Sequence, residues 1–231
     1  MRTTAASTPR IGAMHDDPAL ARVAAWLPAV VADPSLHARF VNALARMEYV
    51  GVRKMIKARR AEALDLDGLQ HLLEEAGHAL RLKRAAIALR GGDERGVATF
   101  AARDVLGGDA AEDYMQEVDS ACEELLARLP EPARAEANYL LSSTAIEVRA
   151  QAFYPLYEAA LRAAGAPFSV RAIQRDEDRH LAELRERLRR HCGSVADALL
   201  ADALVREREA FARWESAMAK AVKPAAAGTR R

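Results

Sequence analysis

At 231 residues the chain can bury one sizeable core; half of it is hydrophobic, yet only 5% is aromatic. A formal net charge of +1 excludes a global pull toward nucleic acid or a membrane surface. No apolar run reaches the roughly 18 residues of a membrane span, and Cys122 and Cys192 stand in no metal spacing, so they read as reduced, cytoplasmic thiols.

Ala, Leu, Arg and Glu dominate while Gly, Pro and β-branched residues are few, which is an all-α composition. Residues 1–16 are polar and lack the apolar core of a signal peptide, so they read as a disordered arm. A first helix is expected from about Pro18 to Ala32, with Leu20, Val23, Leu27 and Val30 inward and Asp17-Pro18 as its N-terminal pair. A second runs from about Ser35 to Ala63, with Phe40, Leu44, Met47, Val52 and Met55 inward and Glu48 within that stripe. Asp65 or Asp67 caps a third, Gly68 to Arg90, which Gly91-Gly92 ends. A short helix is expected around Val97 to Leu106, then one from about Ala110 to Leu129. A long helix follows from Pro132 to about Ala164, with Pro155 set to kink it or open its hydrogen-bond ladder. Ser169 caps the next, which runs to about His191, and the last spans Val195 to about Ala221. Residues 17–221 thus form one helical domain, and 222–231 read as a flexible basic tail.

Glu75 and His78 are three apart and share one helix face, which the neighbouring leucines mark as buried. A carboxylate and an imidazole are costly there unless something pairs or binds them. The same spacing returns at Glu177 and His180. Glu48 precedes the first pair by 27 residues and Glu147 precedes the second by 30. Each Glu and its pair lie almost equally far from the turn between their helices, near Leu64 and at Gly165-Ala166-Pro167. Folded as antiparallel hairpins, they meet within about one 5.4 Å turn of the same height. With 19 Glu and 6 His, chance gives about half an occurrence of Glu-x-x-His, so two balanced copies carry weight that one does not. Four unpaired acids in a core would repel and protonate. Two divalent cations remove that conflict, and a carboxylate-rich set with two imidazoles suits iron or manganese better than a closed zinc site.

This order, Glu, Glu-x-x-His, Glu, Glu-x-x-His, resembles the ferritin-like di-iron carboxylate proteins over about Ser35 to His191. The resemblance implies a ferritin-like four-helix bundle with a long middle crossover and extra flanking helices. It implies Glu48 and Glu147 as mainly terminal ligands, Glu75 and Glu177 as bridging ligands, and His78 and His180 as one nitrogen for each of two iron ions. Glu75 and Glu147 are 72 residues apart, a longer connection than in bacterioferritins. No Cys-x-x-Cys module of the rubrerythrin kind is present. Leu82 occupies the place where ribonucleotide reductase small subunits often carry a radical Tyr. The longer connection is more like that of the oxygenase-type members, so the resemblance implies an O₂-activating di-iron (or iron/manganese) oxidase or monooxygenase acting on an unidentified organic substrate. Its electrons would come from an external ferredoxin or reductase, since the chain has no flavin, Rossmann or Fe–S motif. A homodimer is compatible with this.

Fold does not decide function, and two alternatives stand beside it. One is a metal-handling ferroxidase with no organic substrate. The other is a tRNA-modifying hydroxylase, because Ile146-Glu147-Val148-Arg149 with Phe153 and Glu177-Asp178-Arg179-His180 is similar to the second half of tRNA-hydroxylating di-iron enzymes of the MiaE type. A basic face of Arg53, Lys54, Lys57, Arg59 and Arg60 would fit RNA, and a solvated helix surface explains it as well. Around the six ligands, Asp176 and Glu74 could orient a histidine or simply face solvent. Thr144, Gln151 and Tyr154 could line a pocket or pack in the core. His71 could line an entrance or lie on the surface, and His15, His37 and His191 have no constellation.

Overall fold

The structure, a computed structural model, describes residues 14, 16–58, 64–131 and 133–223. Seven α-helices and no strand occur among the described residues: α1 Pro18–Ala32, α2 Pro34–Ala58, α3 Leu66–Leu89, α4 Ala110–Leu125, α5 Ala133–Ala163, α6 Arg171–Cys192 and α7 Ala196–Val222. Arg59 and Arg60, His15, and the expected basic tail beyond Lys223 lie outside the described residues.

Local chemistry sets the boundaries. The Asp17 carboxylate accepts from Ala19 N at 2.9 Å and starts α1 on Pro18. Asp33 ends α1 and caps α2, accepting from the Ser35 and Leu36 amides. Asp65, not Asp67, caps α3 by accepting from Gly68 N at 2.8 Å. At its other end Gly91 and Gly92 take φ of 65° and 89°, and Gly92 N reaches back to Ile87 O. α6 starts at Arg171, and its entry is held from outside. Glu158 of α5 accepts from Val170 N and from the Ser169 hydroxyl, while Ser169 Oγ accepts from Arg171 N. α5 continues through Pro155.

The helix expected at Val97 to Leu106 is absent; only a 3₁₀ turn forms, at Ala102–Asp104. Its backbone groups are taken by side chains instead. Asn42 donates to the carbonyls of Thr99 and Asp104, Lys83 to that of Val97, and Arg39 to that of Val105. These bonds replace the intrahelical ladder and pin the crossover to α2 and α3. α4 stops at Leu125, four residues short of the expected end. Met14, inside the span read as an arm, is buried near Arg149 and Arg208.

α2 packs on α3 and α5 on α6, and the two hairpins meet through α2 on α5 and α3 on α6. α1, α4 and α7 cover the other side, packing on α2 and α5. The few aromatics concentrate in that second interface. Trp26 stands edge-on to Phe40, Phe153 edge-on to Trp214, and Phe211 stacks on Trp214 at 5.1 Å. Each such pair is worth about 0.5–1.5 kcal/mol beyond its buried area. His37 belongs to this core too: burial holds its pKa down to about 4, and its Nε2 meets the Tyr157 hydroxyl at 2.7 Å. The interface between the hairpins is instead polar.

Candidate metal centre

Glu48 of α2, Glu75 and His78 of α3, Glu147 of α5, and Glu177 and His180 of α6 converge between the hairpins. All but Glu48 are buried, and Glu48 is nearly so. Both imidazoles turn Nδ1 inward. His78 Nδ1 is 3.0 Å from Glu177 Oε1 and 3.9 Å from Glu48 Oε2. His180 Nδ1 is 3.3 Å from Glu177 Oε2, 3.3 Å from Glu75 Oε1 and 4.0 Å from Glu147 Oε1. The two oxygens of Glu177 thus face one imidazole each.

The outward nitrogens are held across the hairpins. His78 Nε2 meets Asp176 Oδ2 at 3.1 Å, and His180 Nε2 meets Glu74 Oε2 at 2.9 Å. The residue before each paired glutamate therefore orients the histidine of the opposite helix. Burial works against Glu74's charge, but Arg179 at 2.7 Å, His180 and Gln70 outweigh it and hold the carboxyl at about 2. An imidazole bonded this way has its ring fixed and its inner nitrogen exposed as a donor.

The charges inside cannot all coexist. Burial, then the charges of neighbouring glutamates, pushes Glu48 and Glu147 well above the usual carboxylate range. Glu75 and Glu177 are held low despite burial, chiefly by the close imidazoles of His180 and, respectively, His71 and His78. Burial opposes the cationic imidazoles as well, yet Glu177 and the other carboxylates raise His78 and His180 to about 10. Protons thus stand in for missing positive charge.

Two inward atoms also lack a hydrogen-bond partner. Glu75 Oε1 and His78 Nδ1 are fully buried and make no hydrogen bond; the 3.0 Å approach of Glu177 to His78 lies off the hydrogen-bond line. Buried orphan donors and acceptors are uncommon in folded proteins. Both point into the cluster, and each belongs to a group whose ligand atoms lie within 4.8 Å of one another: Glu48, Glu75, His78 and Glu177, and His71, Glu75, Glu147 and His180. Buried carboxylates and imidazoles so placed can hold metal ions. Gly51 of α2 makes room for them, since a Cβ there would stand 3.2 Å from Glu75 Oε2.

His71 is the residue that sequence reasoning undervalued. It is buried rather than on the surface, with Nε2 3.4 Å from Glu75 Oε1, and it lines a small cavity together with Glu75 and Glu147. The available signal was its place one turn before Glu75, on the same helix face.

The other named residues divide. Tyr154 donates to Glu48 Oε1 and lines an apolar cavity of about 70 Å³ with Leu44, Met47, Ile146, Phe153, Phe211 and Trp214. Glu48, Glu75, Glu147 and Glu177 form its polar wall. Gln151 donates to Asp178 at 2.7 Å and lines a larger, polar cleft of about 350 Å³ with Pro155, Arg171, Gln174 and Arg175. Glu177 borders both spaces. Thr144 bonds back to Leu140 O at 2.6 Å and lines neither. Of the basic face, Arg53 pairs with Glu112 and Lys54 with Asp119, so two of its cations are already engaged. His191 is a surface residue bonded to Ala133 O. No helix among the described residues is long and apolar enough to cross a membrane.

No protein-family model, no curated protein and no solved structure matches this chain.

Proposed function

We propose that this chain is a ferritin-like non-haem di-iron oxidoreductase that uses O₂ to oxidise or hydroxylate a small organic substrate, with manganese able to replace iron. The observation that carries this is the pair of inward Nδ1 atoms. Each is oriented from behind by a carboxylate and faced in front by oxygens of Glu177, within a ring of four buried glutamates. Glu48, Glu75, His78, Glu147, Glu177 and His180 would hold the two ions, and when bound these supply the electrons that reduce O₂.

The protein's own part is to bind, dry and orient. Asp176 and Glu74 keep both imidazoles as Nδ1 donors. The apolar cavity beside the glutamates suits a small, uncharged molecule such as O₂ and excludes water. The polar cleft on the other side of Glu177 suits an organic substrate with hydrogen-bonding or anionic groups, met by Gln151, Gln174 and Arg175. The Tyr154 hydroxyl holds a proton against Glu48 Oε1, where a carboxylate must lose or gain one as ligation changes. Because the chain shows no reductant of its own, turnover draws electrons from an external ferredoxin or reductase.

Anaerobic titration with ferrous iron should load two ions per chain, and Glu147→Ala should lose that stoichiometry. O₂ admitted to the loaded protein should be consumed once per pair of irons, then again only when a reductant is supplied. Continued iron oxidation far beyond two per chain would favour a metal-handling role without organic substrate. Wild-type protein that binds no pair of ions would sink both.

A further inference from the structure

We infer that His71 is a seventh ligand, so that the centre holds its two metal ions in chemically unequal positions, one with two imidazoles and one with a single imidazole. This rests on the di-metal reading above and adds to it a residue outside the Glu and Glu-x-x-His pattern.

The geometry is convergent. His71 Nε2 and His180 Nδ1 stand 3.4 and 3.3 Å from the same atom, Glu75 Oε1, which makes no hydrogen bond. The two rings lie 3.9 Å apart. His71, Glu75, Glu147 and His180 bring one ligand atom each within 4.8 Å of the others, and all four residues are buried. His71 has the support a ligand needs from behind: its Nδ1 faces the Tyr139 hydroxyl at 3.5 Å, which leaves Nε2 as the inward nitrogen. On the other side, Glu48, Glu75, His78 and Glu177 offer one nitrogen among three carboxylates.

The chemical consequence is discrimination. Imidazole suits iron and the later divalent metals, whereas carboxylate-rich positions tolerate manganese. The position at His71 should therefore prefer iron, and the position at His78 should accept either metal.

Proton NMR of the protein loaded with cobalt(II) tests the count directly, since each imidazole bound to the paramagnetic ion gives one strongly shifted, exchangeable ring N–H signal. Wild type should give three such signals and His71→Gln two. Competition titrations should show one ion of the variant weakened by roughly 10–100-fold or more, with the other unchanged. Tyr139→Phe, which leaves the ring in place, should shift only one of the three signals and guards against a His71 variant that folds poorly. Two signals in wild type, or a variant that keeps both affinities, would overturn the inference and leave the six-ligand centre standing. Absence of any bound cobalt in wild type would overturn the di-metal reading itself.

Discussion

Two clusters of buried charge border the same small apolar cavity, and they are built on different principles. Under α7, Arg149 grips both oxygens of Glu207 at 2.8 Å and Asp17 at 2.7 Å, Tyr114 donates to Glu207, and Phe211 stacks beneath the guanidinium. Cation and anions there are supplied by the chain itself, leaving only one Arg149 nitrogen without a partner. Between the hairpins, four glutamates face imidazoles and the Tyr154 hydroxyl, and two of the group's inward atoms have no hydrogen bond. A buried ion cluster that closes on itself needs no further charge; one that reaches balance only by holding protons has the groups to receive a cation in their place.

The largest test of that contrast is to break one charge in each cluster. Arg149→Met should cost about 3–5 kcal/mol in denaturant melts, with or without metal, because Glu207 and Asp17 are left buried and unpaired. Glu147→Gln should leave metal-free stability within about 0.5 kcal/mol, since burial and the neighbouring carboxylates already favour the neutral form of the native side chain. A large loss in the second variant would mean that Glu147 is held ionised by a partner within the protein.

The next effect is an opposite response to pH. In metal-free protein, His78 and His180 are raised from 6.5 to about 10, so their contribution is complete below the lower value and fades as pH climbs toward the higher. Glu48 and Glu147, raised by burial first, act in the same direction. Glu75 and Glu177 are lowered, so what they add is present above the ordinary carboxylate range and fades in strong acid. The metal-free fold should therefore be most stable in mild acid. Metal binding must expel the imidazole and carboxyl protons, so its affinity should rise over the same interval in which the empty site weakens. Thermal melts across pH with and without manganese should diverge toward alkaline pH; parallel curves would refute this proton balance.

Smaller losses should follow from the residues behind the histidines. Asp176→Asn and Glu74→Gln should each lower metal affinity by roughly 10–100-fold while two ions still bind at saturation, as read by chelator competition. Smallest is Gly51→Ala. A helical Ala gains up to about 1 kcal/mol over Gly, but its Cβ would press on Glu75 Oε2. The variant should melt no lower than wild type yet bind metal several-fold more weakly, and unchanged affinity would show that Glu75 can move aside.

Most of the helices were legible because an apolar stripe of period 3.6 and an N-terminal cap are local facts: Asp17 and Asp65 do what their positions foretell. The crossover was not. Val97 to Leu106 has helix-compatible residues, but Asn42, Lys83 and Arg39, up to 66 residues away, take up its carbonyls, and no local window contains them. The convergence of Glu48, Glu75, His78, Glu147, Glu177 and His180 was legible for the opposite reason, since equal distances from two turns bring distant residues to one height. Which of Asp176, Glu74, Gln151, Thr144 and Tyr154 touch the centre was not, because each sits on a helix face whose partner depends on how the hairpins are rotated.

By itself the sequence determined an all-helical chain and one repeated pattern, Glu followed a helix later by Glu-x-x-His, since periodicity and spacing are properties of the chain alone. Only the tertiary structure decided that the imidazoles are braced from opposite hairpins, that an apolar cavity and a polar cleft meet at Glu177, and that His71 stands among the clustered carboxylates and imidazoles. Those are relations between helices, fixed by the packing of α2 on α5 and α3 on α6 and by the charge that packing encloses.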